Sequence, residues 1–221
     1  MDKIKSLSAE IAYFMCRLYQ CGLTTTSGGN ISARCGDKVL ITPSATDKAR
    51  MTAEQTGVLD MDCNIVGKKF KPTIESQMHV EIYKRRPDVQ AVVHAHPVYA
   101  GAFAASKRRI STRYLAEAMV VVGEIVYAPY ACQGSAELAR IIGDAAEKAD
   151  CIVMRNHGII ALGKTLLQAF DRMEILENAA KTTFICQGHL GEDSIELNDM
   201  QTQELTDKFC SREPKCPVSG N

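Results

Sequence analysis

Apolar residues Ile4, Leu7, Ile11, Phe14, Met15 and Leu18 recur at spacings of three and four, which predicts an amphipathic first helix ending near Gly22. The pattern then changes. The turn cluster Ser27-Gly28-Gly29-Asn30 leads into ISAR and VLITP, two short runs separated by Cys35 to Lys38, which read as a hairpin. GVLDMDCNIVG reads as a second hairpin, turning at Asp62 to Asn64. In ESQMHVEIYKRR, Met78 and Ile82 lie one helical turn apart, Pro72-Thr73 precede the run and Pro87 stops it, so Glu75 is expected at or near a helix N-terminus. Val89 to Pro97 is rich in β-branched residues and ends in proline, which predicts a strand about eight residues long. VYAGAFAAS is expected to be helical.

MVVVGEIVYAPYA reads as a strand pair or extended run. SAELARIIGDAAEKAD predicts a helix capped by Ser135, with Leu138, Ile141 and Ile142 on one face. CIVMR reads as a buried strand, His157-Gly158 as a turn and IIALG as the next strand. Leu166, Ala169, Phe170, Met173, Leu176, Ala180 and Phe184 mark a long helix. From Gly191 the chain turns polar and is expected to be a loosely ordered tail, with one short helix around Leu205, ending in PKCPVSGN. Strands and helices alternating irregularly, several strands as hairpins, indicate an α/β layer fold with an antiparallel sheet, formed by residues 1–221 as a single domain.

Composition narrows the classes. With 221 residues, 46% of them hydrophobic, the chain can bury roughly 70–75% of the surface its unfolded form exposes. Lys and Arg number 26 and so do Asp and Glu, so no net charge is available to attract nucleic acid. The longest apolar runs, AVVHA and MVVVG, fall far short of the roughly 20 residues a membrane span needs. Charges interrupt the apolar residues of the N-terminal stretch, which therefore does not read as a signal peptide. Nine cysteines without a C-x-x-C pair fit reduced thiols in a cytoplasmic protein.

Candidate chemistry gathers at strand ends. Alternation along a strand puts His94 and His96 on one face, about 6.5–7 Å apart at their bases, so two imidazoles can converge on one cation. His157 follows another strand, and Glu75 is the acidic residue in the cationic, polar stretch from Gly67 to Val80. Ser27-Gly28-Gly29-Asn30 and Thr42-Pro43-Ser44 can present amides and hydroxyls to an anion, but match neither nucleotide-binding glycine motif. Each feature taken singly has a structural alternative: histidines bonded to water or capping a turn, a glutamate complementing a helix dipole, turns that are only turns.

Taken in order, SGGNISAR, ITPSATDK, KPTIES, VVHAHPVYAGAFAAS, APYACQG and MRNHGIIALGKTLLQAFDRMEILE resemble the class II aldolase/adducin family, in its fuculose-phosphate-aldolase branch, over residues 5–187. The resemblance implies a three-layer α/β/α fold with a central, mainly antiparallel sheet. It implies zinc, or another divalent metal, on His94, His96 and His157, with Glu75 as both ligand and catalytic base. Ser27, Gly29, Asn30, Ser44 and Thr73 would hold a substrate phosphate. Tyr114 would reach in from a neighbouring subunit of a homotetramer as the second catalytic residue. The implied reaction is reversible cleavage of a ketose 1-phosphate, fuculose-like or deoxy- or methylthio-ribulose-like, to dihydroxyacetone phosphate and an aldehyde. A sugar-phosphate decarboxylase, dehydratase or epimerase of the same family, or a non-catalytic adducin-like module, are the alternatives. Epimerising relatives resemble P-S-S-D-T where this chain has Glu75, which favours the aldolase side. The fuculose-phosphate enzyme has two serines before that glutamate; Thr73-Ile74 supplies one hydroxyl.

Overall fold

The computed structural model describes residues 3–210. Helix α1 (Lys3–Gln20) buries Ile11, Phe14, Met15 and Leu18 and ends at Gly22, whose φ of +69° lets the amides of Cys21 and Leu23 return to the carbonyls of Arg17 and Leu18. Strands β1 (Asn30–Cys35) and β2 (Lys38–Ile41) form the expected hairpin, and β3 (Gly57–Asp60) pairs with β2. The second hairpin is only partly realised. Asp60 accepts from the amides of Asp62 and Asn64, closing the turn, but the return leg makes a single bridge, Leu59 to Ile65.

Three strands and a helix frame the centre: α2 (Ser76–Arg85), β4 (Ala91–Ala95), β6 (Cys151–Met154) and β7 (Gly158–Gly163). With β5 (Ile125–Ala128) they complete a seven-stranded sheet in the order β3-β2-β1-β4-β7-β6-β5. Every pairing is antiparallel except β5 with β6, which are joined by helix α5 (Ala136–Ala146), as a parallel pair requires. The sheet is therefore mixed, though mainly antiparallel.

Both sheet faces are covered, which makes three layers. Ile31, Ala33, Ala91, Val93, Ile159 and Ala161 face α1, α3 (Val98–Ala104) and α6 (Leu166–Ile185), while Val39, Val92, Ile152, Ile160 and Leu162 face α2 and α5. Because neighbouring residues of a strand point to opposite faces, the even-numbered side of β4 and of β1 looks toward α2. That side carries His94, Asn30 and Ser32.

The first half of MVVVGEIVYAPYA departs from the extended reading. Ala116–Val121 is helix α4, which buries Ala118 and ends at Gly123, φ +64°; only Ile125–Ala128 is strand. Packing on α6 overrides the modest strand preference of consecutive valines. The loose order expected from Gly191 also differs from the structure up to Cys210. Helix α7 (Asp199–Leu205) follows a segment anchored on Arg113, whose carbonyl accepts from the Leu197 amide (2.8 Å) and whose guanidinium reaches Leu197 O and Asp199 (both 2.7 Å). The final PKCPVSGN lies outside the described residues. Cys16, Cys21, Cys35, Cys63, Cys132, Cys151 and Cys186 are free thiols. No helix among the described residues is long and apolar enough to cross a membrane.

Candidate active site

Strand β4 delivers His94 at its end and His96 just beyond, and the tight β6–β7 turn delivers His157 beside them. That turn is pinned: Asn156 adopts φ +53°, its amide bonds Ala104 O at 3.2 Å, and Arg155 donates to Phe103 O and Ser106 O. Ligand nitrogens of His94, His96 and His157 all lie within 4.8 Å of one another. His94 Nδ1 donates to Ile159 O at 2.9 Å, which leaves its Nε2 lone pair facing the cluster, 3.0 Å from His96 Nε2.

Glycines make room for these rings. A methyl group on Gly158 would sit 2.6 Å from Ala95 O and from His96 Cδ2, and one on Gly29, at φ +66°, would sit 2.7 Å from His94 O. The backbone here must come closer to the histidines than any side chain allows.

Glu75 stands just before α2 and is buried in the same cluster. Its Oε2 lies 3.2 Å from His94 Nε2 and accepts from Asn30 Nδ2 at 2.8 Å; its Oε1 lies 2.9 Å from His157 Nε2. Burial opposes its ionisation, but His94, His157 and Asn30 together hold its carboxyl well below the usual range. Against the same burial, Glu75 holds His94 above its ordinary value, while burial and the two neighbouring imidazoles push His96 down to about 4. Glu75 Oε1 and His157 Nε2 are buried facing only each other, and His157 Nδ1 is buried without a hydrogen-bond partner. A buried carboxylate oxygen beside three convergent imidazoles is a donor set that a divalent cation would satisfy.

Of the residues expected to grip a phosphate, Asn30 and Thr73 join this cluster, with Asn30 Nδ2 also donating to Thr73 Oγ1 at 3.1 Å. Gly29 lies directly under His94, with the buried hydroxyl of Thr24, itself unpartnered, against the same backbone. Ser27 is exposed on that loop. Ser44 is half-buried on the neighbouring turn, which a bridge between Pro43 and Pro72 ties to the Thr73 segment. A cleft of about 280 Å³ opens beside Ser44, lined also by Thr46, Lys68, Lys69 and Lys71. Tyr114 is half-buried in the turn before α4, and no hydrogen bond joins it to the cluster within this chain.

Three buried polar residues escape the sequence reading: Ser32, His79 and Tyr83. The signal was spacing. Glu75, His79 and Tyr83 recur every four residues along one stripe of α2, and Asn30 and Ser32 alternate along β1, so the two series interlock. Lys48 also went unread: its Nζ is buried, donates to Pro43 O at 2.8 Å, and its backbone amide bonds Thr26 O at 2.9 Å, joining both glycine- and hydroxyl-bearing turns.

Three imidazoles and a buried carboxylate thus meet at one end of this α/β/α sandwich, and the three histidines form a group that could hold a metal ion. The chain belongs to the family described as class II aldolase and adducin N-terminal domain, whose pattern spans residues 9–184. It is 38% identical over 172 residues to an L-fuculose phosphate aldolase of Methanococcus maripaludis, covering 77% of this chain and 93% of that one. A 3-oxo-tetronate 4-phosphate decarboxylase of Haemophilus influenzae is 33% identical over 195 residues, covering 86% and 91%. Among solved structures, an L-fuculose 1-phosphate aldolase superposes with a TM-score of 0.82 at 28% identity, covering 95% of this chain and 97% of that one.

Proposed function

We propose that this protein is a zinc-dependent aldolase that reversibly cleaves a ketose 1-phosphate to dihydroxyacetone phosphate and an aldehyde. The observation that carries this reading is Glu75, a carboxylate buried against two imidazoles with Oε2 fixed by Asn30 and Oε1 facing only His157 Nε2. His94, His96 and His157 would hold the cation, which when bound supplies Lewis-acid polarisation of the substrate carbonyl. Glu75 exchanges the proton on the carbon beside that carbonyl, its Oε1 being the acceptor once His157 holds the cation. Tyr114, contributed by a neighbouring subunit of a homotetramer, moves the proton of the aldehyde-side hydroxyl.

The phosphate would be held by Ser27, Gly29, Ser44 and Thr73. Asn30 supports the same pocket, but the Nδ2 it would offer is already committed to Glu75 and Thr73. Lys68, Lys69 and Lys71, with Glu54, line the cleft beside Ser44 and would favour a phosphate there. Ile74, 61% exposed between Thr73 and Glu75, replaces a phosphate hydroxyl of the fuculose-phosphate enzyme with an apolar surface. The free thiols fit a cytoplasmic setting.

A second reading, favoured by the Haemophilus relative, is decarboxylation of a 3-oxo sugar-acid phosphate. Loss of carbon dioxide and loss of an aldehyde leave the same kind of carbanion beside a carbonyl, so the cluster serves either. Incubating metal-loaded protein with a panel of ketose 1-phosphates and with a 3-oxo-tetronate 4-phosphate separates them. Release of dihydroxyacetone phosphate from a ketose supports the aldolase; carbon dioxide from the acid alone replaces it.

A further inference from the structure

Behind Glu75 runs a chain of buried polar groups. Tyr83 OH lies 2.8 Å from Ser32 Oγ, Ser32 Oγ lies 2.7 Å from His79 Nδ1, His79 Nε2 meets Asn30 Oδ1, and Asn30 Nδ2 donates to Glu75. Ser32, His79 and Tyr83 are completely buried. None of them reaches the substrate side of the cluster.

The direction of every proton in this chain follows from its end. An ionised Glu75 only accepts, so the Asn30 atom facing it is the amide nitrogen and the carbonyl oxygen faces His79. That oxygen also only accepts, so His79 Nε2 carries a hydrogen. A neutral imidazole then has a bare Nδ1, which Ser32 must serve as donor, and Ser32 in turn accepts from Tyr83. Complete burial favours the neutral ring this scheme needs. All the hydrogen bonds point the same way, toward Glu75 Oε2.

We infer that His79 is a positioning residue for Glu75: locked by Ser32 and Tyr83 in the Nε2–H tautomer, it holds the Asn30 amide with its nitrogen on Glu75 Oε2 and so presents Oε1 to the reacting centre. Without the His79 donor, the Asn30 carbonyl oxygen is left buried and unpaired, so the amide that Glu75 and Thr73 hold at its nitrogen loses its anchor at its oxygen. This inference rests on the reading of Glu75 as the proton-exchanging carboxylate.

The test compares His79→Gln, which keeps a donor near the position of Nε2, with His79→Leu, which does not, in full-length protein. Crystal structures of both variants should show Glu75 still bonded to Asn30 Nδ2 with glutamine and rotated away with leucine. Kinetics under metal saturation should show kcat reduced about tenfold or more by leucine and largely restored by glutamine, with KM changing much less. Nitrogen-15 spectra of the wild-type metal-free protein should show His79 neutral and protonated on Nε2. An unmoved Glu75 in the leucine variant, equal impairment by both substitutions, or an Nδ1–H or charged His79 overturns the inference. Lack of aldolase turnover by the wild type would count against the proposed reaction alone, since the structures and spectra need no turnover.

Discussion

Asn30 and His94 stand directly opposite each other on β1 and β4. One rung of the sheet thus carries both the amide that fixes Glu75 and the imidazole that flanks it. The buried Glu75 carboxylate is held between Asn30 on β1, His94 on β4 and His157 on the β6–β7 turn, so its placement is tied to the centre of the sheet.

Replacing Glu75 with glutamine conserves shape and removes the proton acceptor. Hydrogen–deuterium exchange into dihydroxyacetone phosphate, followed by NMR, should slow by about 10²–10⁴ while the thermal midpoint changes little. Exchange at the wild-type rate would remove Glu75 from the proposed mechanism.

Chelation of divalent metal should abolish turnover and lower the melting temperature, because a ligand bound only to the native state stabilises it, by about 2.7 kcal/mol at one hundred times its dissociation constant. Re-addition of zinc should restore both. His157→Ala should erase the metal-dependent shift in melting, measured by calorimetry with and without zinc; a shift of undiminished size would exclude His157 as a ligand.

Two glycine substitutions should differ in sign. Gly158→Ala places a methyl 2.6 Å from Ala95 O, backbone of β4, and from His96 Cδ2, and should cost stability and weaken metal binding. Gly101→Ala in α3 meets nothing within 4 Å and should stabilise by about 0.5–1 kcal/mol. Urea denaturation of both variants tests the contrast.

Lys48 predicts a pH dependence. Burial lowers its ammonium from 10.5 to about 8, so the native state resists its charge. The unfolded chain binds the proton more readily, so stability falls as pH drops from 10.5 through 8, and the full penalty, on the order of 3 kcal/mol, applies below 8. Lys48→Met removes it. The variant's advantage in unfolding free energy should be greatest near neutrality and shrink between pH 8 and 10.5; a constant difference would contradict the burial argument.

The elements stabilised by local interactions were legible in the chain alone. The apolar stripes of α1, α5 and α6 were legible because a helix buries one face at a fixed period, and the ends of β4 and β6 were legible from their β-branched runs. His94, His96, His157 and Glu75 were readable as candidates from their places at those ends, and family resemblance tied them together. What these residues touch depends on contacts between distant parts of the chain. Whether Val120-Val121 extends or coils depended on α6, and residues 191–197 are anchored by Arg113, far away in the chain. Ser32, His79 and Tyr83 look like surface polar residues in sequence, because pairing between β1 and β4 and the docking of α2 are long-range events that no local pattern encodes. Their burial turns ordinary polar groups into a one-way line of hydrogen bonds on Glu75.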